Sequence, residues 1–451
     1  MKNNLFLKTG GIFILAILCM ARSLHAQDTT VQLSLKDAVD LSIKNSKQLK
    51  VNHAKIDEAA GAVQEAKDKR LPDVKFSGSY LRVNNPNISL KSTSNNSGGS
   101  GSGSGGGLGD VKVSQVMLGQ ASVSYPVYVG GRTQYGIESA KYLEKATRLD
   151  ADHDRDAVVL NTVDAYINLY KAKAAVNLVK DNLQQSRQRD ADFANLEKNG
   201  IIARNDLLKA QLQSSNIELS LLDAENNRDL ANVNMNLLLG LPERATLVLD
   251  SNSLVAPSEP KPIADYEQQA LQSRKDIQAL GLRGKAATTA IKAAKGEYYP
   301  TVALSGGYIA ADVPGFITIT NAVDIGVGVQ YSLSSLWKTK AKVAQAKARE
   351  QQVFANEELL SDNVRLQVNE AYQAYLLSRK KIDVYAVAID QAAENYKITK
   401  NKHDNNLVTT TDLLDADLAQ LQAKLNYTFA KADAIAAYNK LLQVTGSLAT
   451  K

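Results

Sequence analysis

The chain repeats itself, and that repeat constrains its fold more than any other feature. Ala66-Lys67 through Pro72, Ser77-Gly78 and Tyr80 recur as Ala294-Lys295 through Pro300, Ser305-Gly306 and Tyr308, a shift of 228 residues. Further along the shift is 206: Tyr125 recurs as Tyr331, Ala140-Lys141 as Ala346-Lys347 and Ala165-Tyr166 as Ala371-Tyr372. Asp206-Leu207-Leu208 then returns as Asp412-Leu413-Leu414, and Gly240 as Gly446. The second shift never changes from Tyr125 to Gly240, so neither long helical arm has gained or lost a residue against its twin. Two arms of equal length suit a tube with a level rim.

Residues 1–26 read as a secretory signal peptide, with Lys2 and Lys8 before an apolar core from Ile12 to Met20 and the small Ala26 at its end. Leu18 before Cys19 is too bulky for a lipoprotein signal, so Cys19 is expected to leave with the signal. The remainder has no cysteine, which excludes disulfides and thiolate chemistry. It carries 50 basic against 47 acidic residues, a balance that gives no reason to expect nucleic acid. Past the signal no apolar stretch nears the ~20 residues of a membrane helix. A periplasmic protein, an extracellular one and an outer membrane β-barrel all stay open.

We expect a first structural repeat over 27–256, with helix 36–70, strands 73–83 and 111–129, and helices 132–199 and 203–239. The second covers 257–451, with helix 264–297, strands 301–311 and 323–334, and helices 338–402 and 409–445. Ser34 is the expected N-cap of the first helix and Pro72 its terminator. In the strands Val74, Phe76, Gly78 and Tyr80 alternate with Lys75, Ser77 and Ser79, and Val302, Leu304, Gly306 and Tyr308 keep that phase. Ala121, Val123, Tyr125 and Val127 match Val327, Val329, Tyr331 and Leu333, opposite Ser122, Ser124, Gly326, Gly328, Gln330 and Ser332. One apolar and one small polar face at period two is the pattern of a membrane barrel wall, and Tyr128, Tyr298, Tyr299 and Trp337 stand where an interfacial girdle would lie. The alternative is a secreted coiled-coil interaction protein whose hairpins pair in a soluble sheet. The Gly/Ser run Ser97–Gly109 reads as a flexible exposed loop.

From Arg132 to about Asn199 there is no proline, and no glycine after Gly136. At 1.5 Å per residue that is a rod of ~100 Å. Leu160, Val163, Ile167, Tyr170 and Ala174 step by three and four, a coiled-coil seam, and Val158, Val159, Leu169, Ala172 and Ala175 widen it. The rods end at Lys198-Asn199-Gly200 and Asp404-Asn405-Asn406, where returning helices half as long begin. The first short helix and the first returning helix together equal one rod in length. The Pro-rich joint, Leu241-Pro242 and Ala256-Pro257 to Pro262, is expected to lie outside the helical layer.

The strand-to-helix junction Tyr125-Pro126-Val127-Tyr128-Val129-Gly130-Gly131-Arg132 resembles the signature of TolC-type outer membrane efflux proteins. So do the two turn segments Asn199 to Leu208 and Asn405 to Ala416, and Leu238-Leu239-Gly240-Leu241-Pro242. The resemblance implies an α+β, mainly α fold in which a β-hairpin and a long coiled-coil helical hairpin are duplicated. It further implies a homotrimer, whose twelve-stranded β-barrel continues as an α-helical barrel. The expected role is a passive exit duct in the outer membrane of a Gram-negative bacterium. It would serve an efflux or secretion system with a periplasmic adaptor (membrane fusion) protein and an inner membrane transporter, RND foremost, with ABC and MFS as alternatives. Physics supplies part of this, because four strands per chain cannot close a barrel and some oligomer is required.

In that family the free end of the helical barrel closes as an iris. Asp412 and Asp415 match its ring of carboxylates, which would favour cations and raise one another's pKa. Helix capping by Asp412, three residues after Thr409, is the competing reading, and for Asp206 capping is the preferred one. The family's basic residue and tyrosine are replaced by Val408 and His403, so of the family's ion-pair lock only Asp206 is matched and the presence of such a lock stays open; His403 reads as a solvated histidine or a pH-sensitive contact. Gly200, Ile201, Ile202, Asn406, Leu407 and Val408 match the turns that meet the adaptor, unless their apolar side chains pack on a neighbouring hairpin. His53, His153 and His403 are isolated and no nucleophile elbow or phosphate loop occurs, so no enzyme activity, cofactor or metal is expected. The acidic run Asp150, Asp152, Asp154 and Asp156 reads as a solvated face.

Overall fold

The computed structural model describes residues 30–84, 113–250, 259–314 and 317–448. The expected signal peptide with Cys19, the run Ser97–Gly109 and Ala256-Pro257 lie outside the described residues. In chain order the elements are β1 (Thr30–Leu33), α1 (Leu35–Asn45), α2 (Lys47–Asp68), β2 (Asp73–Arg82), β3 (Gln115–Tyr128), α3 (Arg132–Lys198) and α4 (Arg204–Leu239). There follow β4 (Thr246–Leu249), α5 (Ile263–Ser273), α6 (Lys275–Lys295), β5 (Thr301–Val313), β6 (Ile317–Gln330), α7 (Ser335–Asp404) and α8 (Thr410–Val444). Contacts divide the chain into two compact units, one from 1–55, 148–278 and 358–451, the other from 56–147 and 279–357. Each unit draws on both sequence copies. No helix among the described residues is long and apolar enough to cross a membrane.

The second unit holds a four-stranded antiparallel sheet in the order β2-β3-β5-β6. Its register brings the apolar positions of all four strands onto one face. Val74, Val123, Gly306 and Ile325 form one row across it, and Phe76, Ala121, Tyr308 and Val323 the next. This face is bare: Phe76 is 83% and Ile325 88% exposed. The other face carries Asp73, Lys75, Ser77, Ser122, Ser124, Ser305 and Asp324. Among the described residues β2 and β6 each have a partner on one side only.

Three expectations about the strands need correction. A bulge between Pro126 and Tyr128 sets Tyr128, not Val127, opposite Val302; Pro126 has no N–H to give the ladder, which makes it a natural bulge site. Tyr331 and Leu333 lie beyond β6, which ends at Gln330. β6 begins at Ile317 rather than 323, because its β-branched start Ile317-Thr318-Ile319 keeps pairing with β5 and Thr318 Oγ1 donates to Asp312.

In the first unit the duplication becomes two matching cores. One gathers Leu33, Ala38, Ala165, Tyr166, Leu169, Met235, Leu239 and Leu247. The other gathers Tyr266, Ala270, Val364, Val368, Ala371, Tyr375, Leu441 and Val444. Ala165, Leu169 and Met235 of the first are Ala371, Tyr375 and Leu441 of the second, displaced by the repeat shift of 206. The seam residues Val163 and Ile167 pack on Ala432 and Ile435 of α8.

The single helices expected at 36–70 and 264–297 are each broken. Ser34 caps α1 as expected, accepting from the Asp37 N–H at 3.1 Å. The chain then leaves helical geometry at Ser46 (ψ 122°) and at Arg274 (ψ 130°), equivalent positions 228 apart. Neither break has a proline or glycine; both are fixed from outside. Asn45 Nδ2 donates to the Leu239 carbonyl at 2.6 Å, and Arg274 Nη1 donates to the Val444 carbonyl at 3.3 Å, so each break satisfies a helix C-terminus. The joint does not lie outside the layer throughout. Within it β4 pairs in parallel with β1 and sends Leu247 into the core, fully buried. The Tyr166 hydroxyl lies 3.1 and 3.2 Å from the carbonyls of Leu33 and Asp250, bridging both strands.

The junction motif has a steric reason. Gly130 and Gly131 adopt φ 67° and 76°, and Arg132 Nε donates to the Val129 carbonyl at 3.1 Å. A Cβ on Gly130 would stand 2.1 Å from the Gly296 carbonyl oxygen, and one on Gly296 would stand 2.6 Å from that of Gly130. Two backbones cross with no room for a methyl group, where β3 turns into α3 and α6 gives way to β5. Gly130→Ala should destabilise the protein by about 1–2 kcal/mol from the left-handed backbone alone, with the clash added. Gly61, mid-helix with open space around it, should gain roughly 0.5–1 kcal/mol on conversion to Ala. Thermal denaturation of both variants in detergent checks the opposite signs.

Candidate functional site at the hairpin tips

Both long helices stop in the same way. α3 ends at Lys198 and α7 at Asp404, while α4 and α8 begin at Arg204 and Thr410, each boundary displaced by 206. Gly200 and Asn406 take the left-handed conformation at φ 71° and 58°. The N–H groups of Gly200 and Ile201 donate to Glu197 and Leu196 at 2.8 and 2.9 Å, and those of Asn406 and Leu407 to His403 and Lys402 at 2.9 Å each. These are two copies of one C-terminal cap, satisfied by its own backbone. The four apolar turn residues divide by the same symmetry. Ile201 and Leu407 are 57% and 72% exposed. Ile202 and Val408 are half-buried, Ile202 against Phe193, Ala210 and Leu413.

The carboxylates differ between the copies. Asp412 closes a capping box: its Oδ2 accepts from the Thr409 hydroxyl at 2.7 Å and the Thr409 N–H at 2.9 Å, and its own N–H donates back to Thr409 Oγ1 at 3.2 Å. The hydroxyl and then the N–H hold the Asp412 carboxyl below the usual carboxylate range, the reverse of the expected mutual repulsion within this chain. Such a lowered group stabilises the helix fully above its unfolded pKa and loses that contribution as pH falls through the lowered value. In the first copy Ala203 stands where Thr409 does, no side chain caps α4, and Asp206 pairs with Lys209 at 3.5 Å. Asp415 is exposed.

His403 is not solvated. It stacks on Phe193 (centroids 5.4 Å apart, 12° between planes), its Nε2 lies 3.3 Å from Thr410 Oγ1, and its side chain is 10% exposed. It has room here because the tips of α3 and α7 leave a cavity of about 920 Å³, lined among others by Arg189, Phe193, Ile201, Tyr396 and His403.

Sequence reasoning missed the charges buried behind this cavity. Arg189 Nη2 donates to Asp417 Oδ2 at 2.7 Å, with the two side chains 9% and 3% exposed. Asn182 Nδ2 donates to the other oxygen of Asp417 at 3.2 Å. Arg189 also donates to Ser186 at 3.2 Å, and Ser186 meets Ser214 at 2.6 Å. The cluster joins α3, α4 and α8, while burial and the Asp417 carboxylate push the Tyr396 hydroxyl of α7 up. A signal existed: Asn182, Ser186 and Arg189 step by four and three along the buried face that carries Val179, Leu183 and Phe193. The acidic run also needs correction, since Asp156 is buried and burial raises its carboxyl. Among the described residues no three His, Cys, Asp or Glu side chains are placed to hold a metal.

A sheet with one bare apolar face and edges unpaired among the described residues, joined in sequence to paired helices with capped tips, has the features that a β-barrel channel of the outer membrane requires of its chains. The family described as outer membrane efflux protein matches residues 38–241 and 267–447, one match in each copy, and the chain belongs to that family. Outer membrane efflux protein BepC of Brucella suis biovar 1 (strain 1330) is 23% identical over 333 residues, 71% of this chain and 70% of BepC. Among solved structures CusC shares the fold with a TM-score of 0.77 at 18% identity, covering 94% of this chain and 95% of CusC. The Campylobacter jejuni CmeC outer membrane channel does so with a TM-score of 0.72 at 19% identity, covering 92% and 86%. The chain is thus an outer membrane protein, an exit duct of a tripartite efflux system.

Removing one partner of the buried pair strands the other charge. Arg189→Met or Asp417→Leu alone should each cost about 3–5 kcal/mol, whereas the two changes together should cost far less. Thermal unfolding of the four proteins in one detergent, read as a double-mutant cycle, checks this.

Proposed function

We propose that three copies of this chain close a twelve-stranded barrel above a helical conduit, whose entrance the hairpin tips open and shut. The observation that carries the reading is the four-stranded sheet with an exposed apolar face and two edges unpaired among the described residues. Such a sheet is stable in lipid only when further strands pair with β2 and β6. The helices support the same assembly. Leu208, Leu212, Leu219, Leu222, Leu230 and Leu237 of α4 are all more than half exposed, in steps of four, seven, three, eight and seven. Leu359, Leu366, Leu377 and Val384 of α7 form a second exposed stripe in steps of seven, eleven and seven. Two different seams on one chain join head to tail and close a ring.

At the entrance Asp412 and Asp415 are exposed one helical turn apart, and in a ring of three copies they form a belt of carboxylates that favours cations. The capping box and the belt are compatible, since capping fixes where the Asp412 carboxylate points. Ile201 and Leu407, equivalent and exposed, are the residues of the turns suited to contact an adaptor; Gly200 and Asn406 set that turn geometry. Ile202 and Val408 serve the hairpin's own packing. His403 positions the tip by stacking, with Asp206 at the first turn of α4. The pump behind the adaptor is, in this reading, an RND transporter, with ABC and MFS transporters separable by co-purification of the assembled system.

Asp412→Ala with Asp415→Ala should raise single-channel conductance in planar bilayers and weaken block by multivalent cations; unchanged currents would remove the belt. Gly200→Val forces a β-branched residue into left-handed backbone at about 1–2 kcal/mol, roughly a five- to thirtyfold loss if all of it falls on docking. Export in cells should fall while the trimer persists, and Gly200→Asn, the residue of the equivalent turn, should retain export.

A further inference from the structure

We propose that Asp324, on the polar face of the sheet, sets the ion preference of the barrel lumen independently of the carboxylates at the periplasmic entrance. The polar face of the four described strands carries three charges, Asp73, Lys75 and Asp324. Lys75 Nζ lies 2.6 Å from Asp73 Oδ2, so these two neutralise each other. Asp324 has no such partner in its row, which runs Lys75, Ser122, Gly307, Asp324 across the sheet. Its carboxylate lies over Gly307, where a Cβ would stand 2.8 Å from Oδ1. The duplication separates this charge from any need of the fold. The cross-strand pair Gly307–Asp324 of the second ribbon corresponds to Ser79–Leu118 of the first, which pairs in the same register without a charge. The second ribbon therefore holds a carboxylate together with a glycine that makes room for it, and the first holds neither.

The face opposite Asp324 is the bare apolar one, so Asp324 faces the water-filled side. In the closed barrel, on which this inference rests, three such carboxylates face one lumen. Their reach is the Debye length, ~30 Å at 0.01 M salt, ~8 Å at 0.15 M and ~3 Å at 1 M. They act on cations and anions crossing the whole lumen in dilute medium and only near the wall in concentrated salt. Cargo that is cationic or neutral is favoured over anionic cargo at the last step before release.

The test is the reversal potential across planar bilayers under a KCl gradient, for the whole protein and for Asp412→Ala with Asp415→Ala as a second background. In both, Asp324→Asn should lower the K⁺/Cl⁻ permeability ratio roughly twofold or more in dilute salt and little at ~1 M, and Asp324→Lys should lower it further. A ratio unchanged by Asp324→Asn and Asp324→Lys in the second background would overturn the proposal. Asp324→Cys offers a check that needs no second folding event. Cationic and anionic water-soluble thiol reagents, added to the assembled channel, should move the ratio in opposite directions, and failure to react would show that the position does not face water. If the unsubstituted protein formed no conducting oligomer, the barrel reading itself would fall and this proposal with it; an ordinary conductance with an unmoved ratio would sink this proposal alone.

Discussion

Backbone amides cannot be left unpaired in hydrocarbon, and the rest of this structure follows from that constraint. β2 and β6 present edges of 10 and 14 residues with no partner among the described residues. Each bare N–H or C=O in lipid costs several kcal/mol, so the single chain cannot insert as it stands. Its bare apolar face cannot remain in water either: Phe76, Val323 and Ile325 are each exposed by 70% or more. Insertion and assembly are thereby tied together, and the exposed stripes on α4 and α7 extend the same demand for neighbours into the helices. The crossing of Gly130 with Gly296 fixes the direction in which β3 hands over to α3.

Duplication lets one set of solutions serve twice. The two apolar cores, the two helix breaks and the two tip caps recur at the repeat shifts. The differences between copies are then informative, because the fold tolerates both versions. Thr409 caps where Ala203 does not, and Asp324 stands where Leu118 does.

What could be read from residues alone was what local chemistry decides. The alternation of the strands, the proline-free rods and the left-handed Gly200 and Asn406 are written in side-chain size and backbone preference. What could not be read is decided by partners distant in sequence. Nothing near Ser46 or Arg274 marks a break; the carbonyls of Leu239 and Val444 select it from 170 or more residues away. The short β1–β4 pair joins segments separated by the whole first copy. His403 looked solvated because its stacking partner Phe193 lies on the other long helix. The Arg189–Asp417 pair, 228 residues apart, was half legible, since polar residues broke the apolar face of α3 without naming what they met.

The tips combine two kinds of restraint with different consequences for motion. The caps at Gly200 and Asn406 and the box at Thr409 are closed by groups within six residues of one another, so a hairpin keeps them however it moves. The buried ion pair is the opposite case: Asp417 of α8 meets Arg189 and Asn182 of α3 only while the two hairpins hold their present register. An apolar seam alone would tolerate sliding, since one methyl group packs much like the next. A buried charge does not, because parting it from its partner leaves both ions without water. Fingers that are rigid within themselves and joined by one costly polar layer have few arrangements between fully held and fully parted. If the tips serve as the entrance gate proposed above, a gate of that construction favours two states over a continuum.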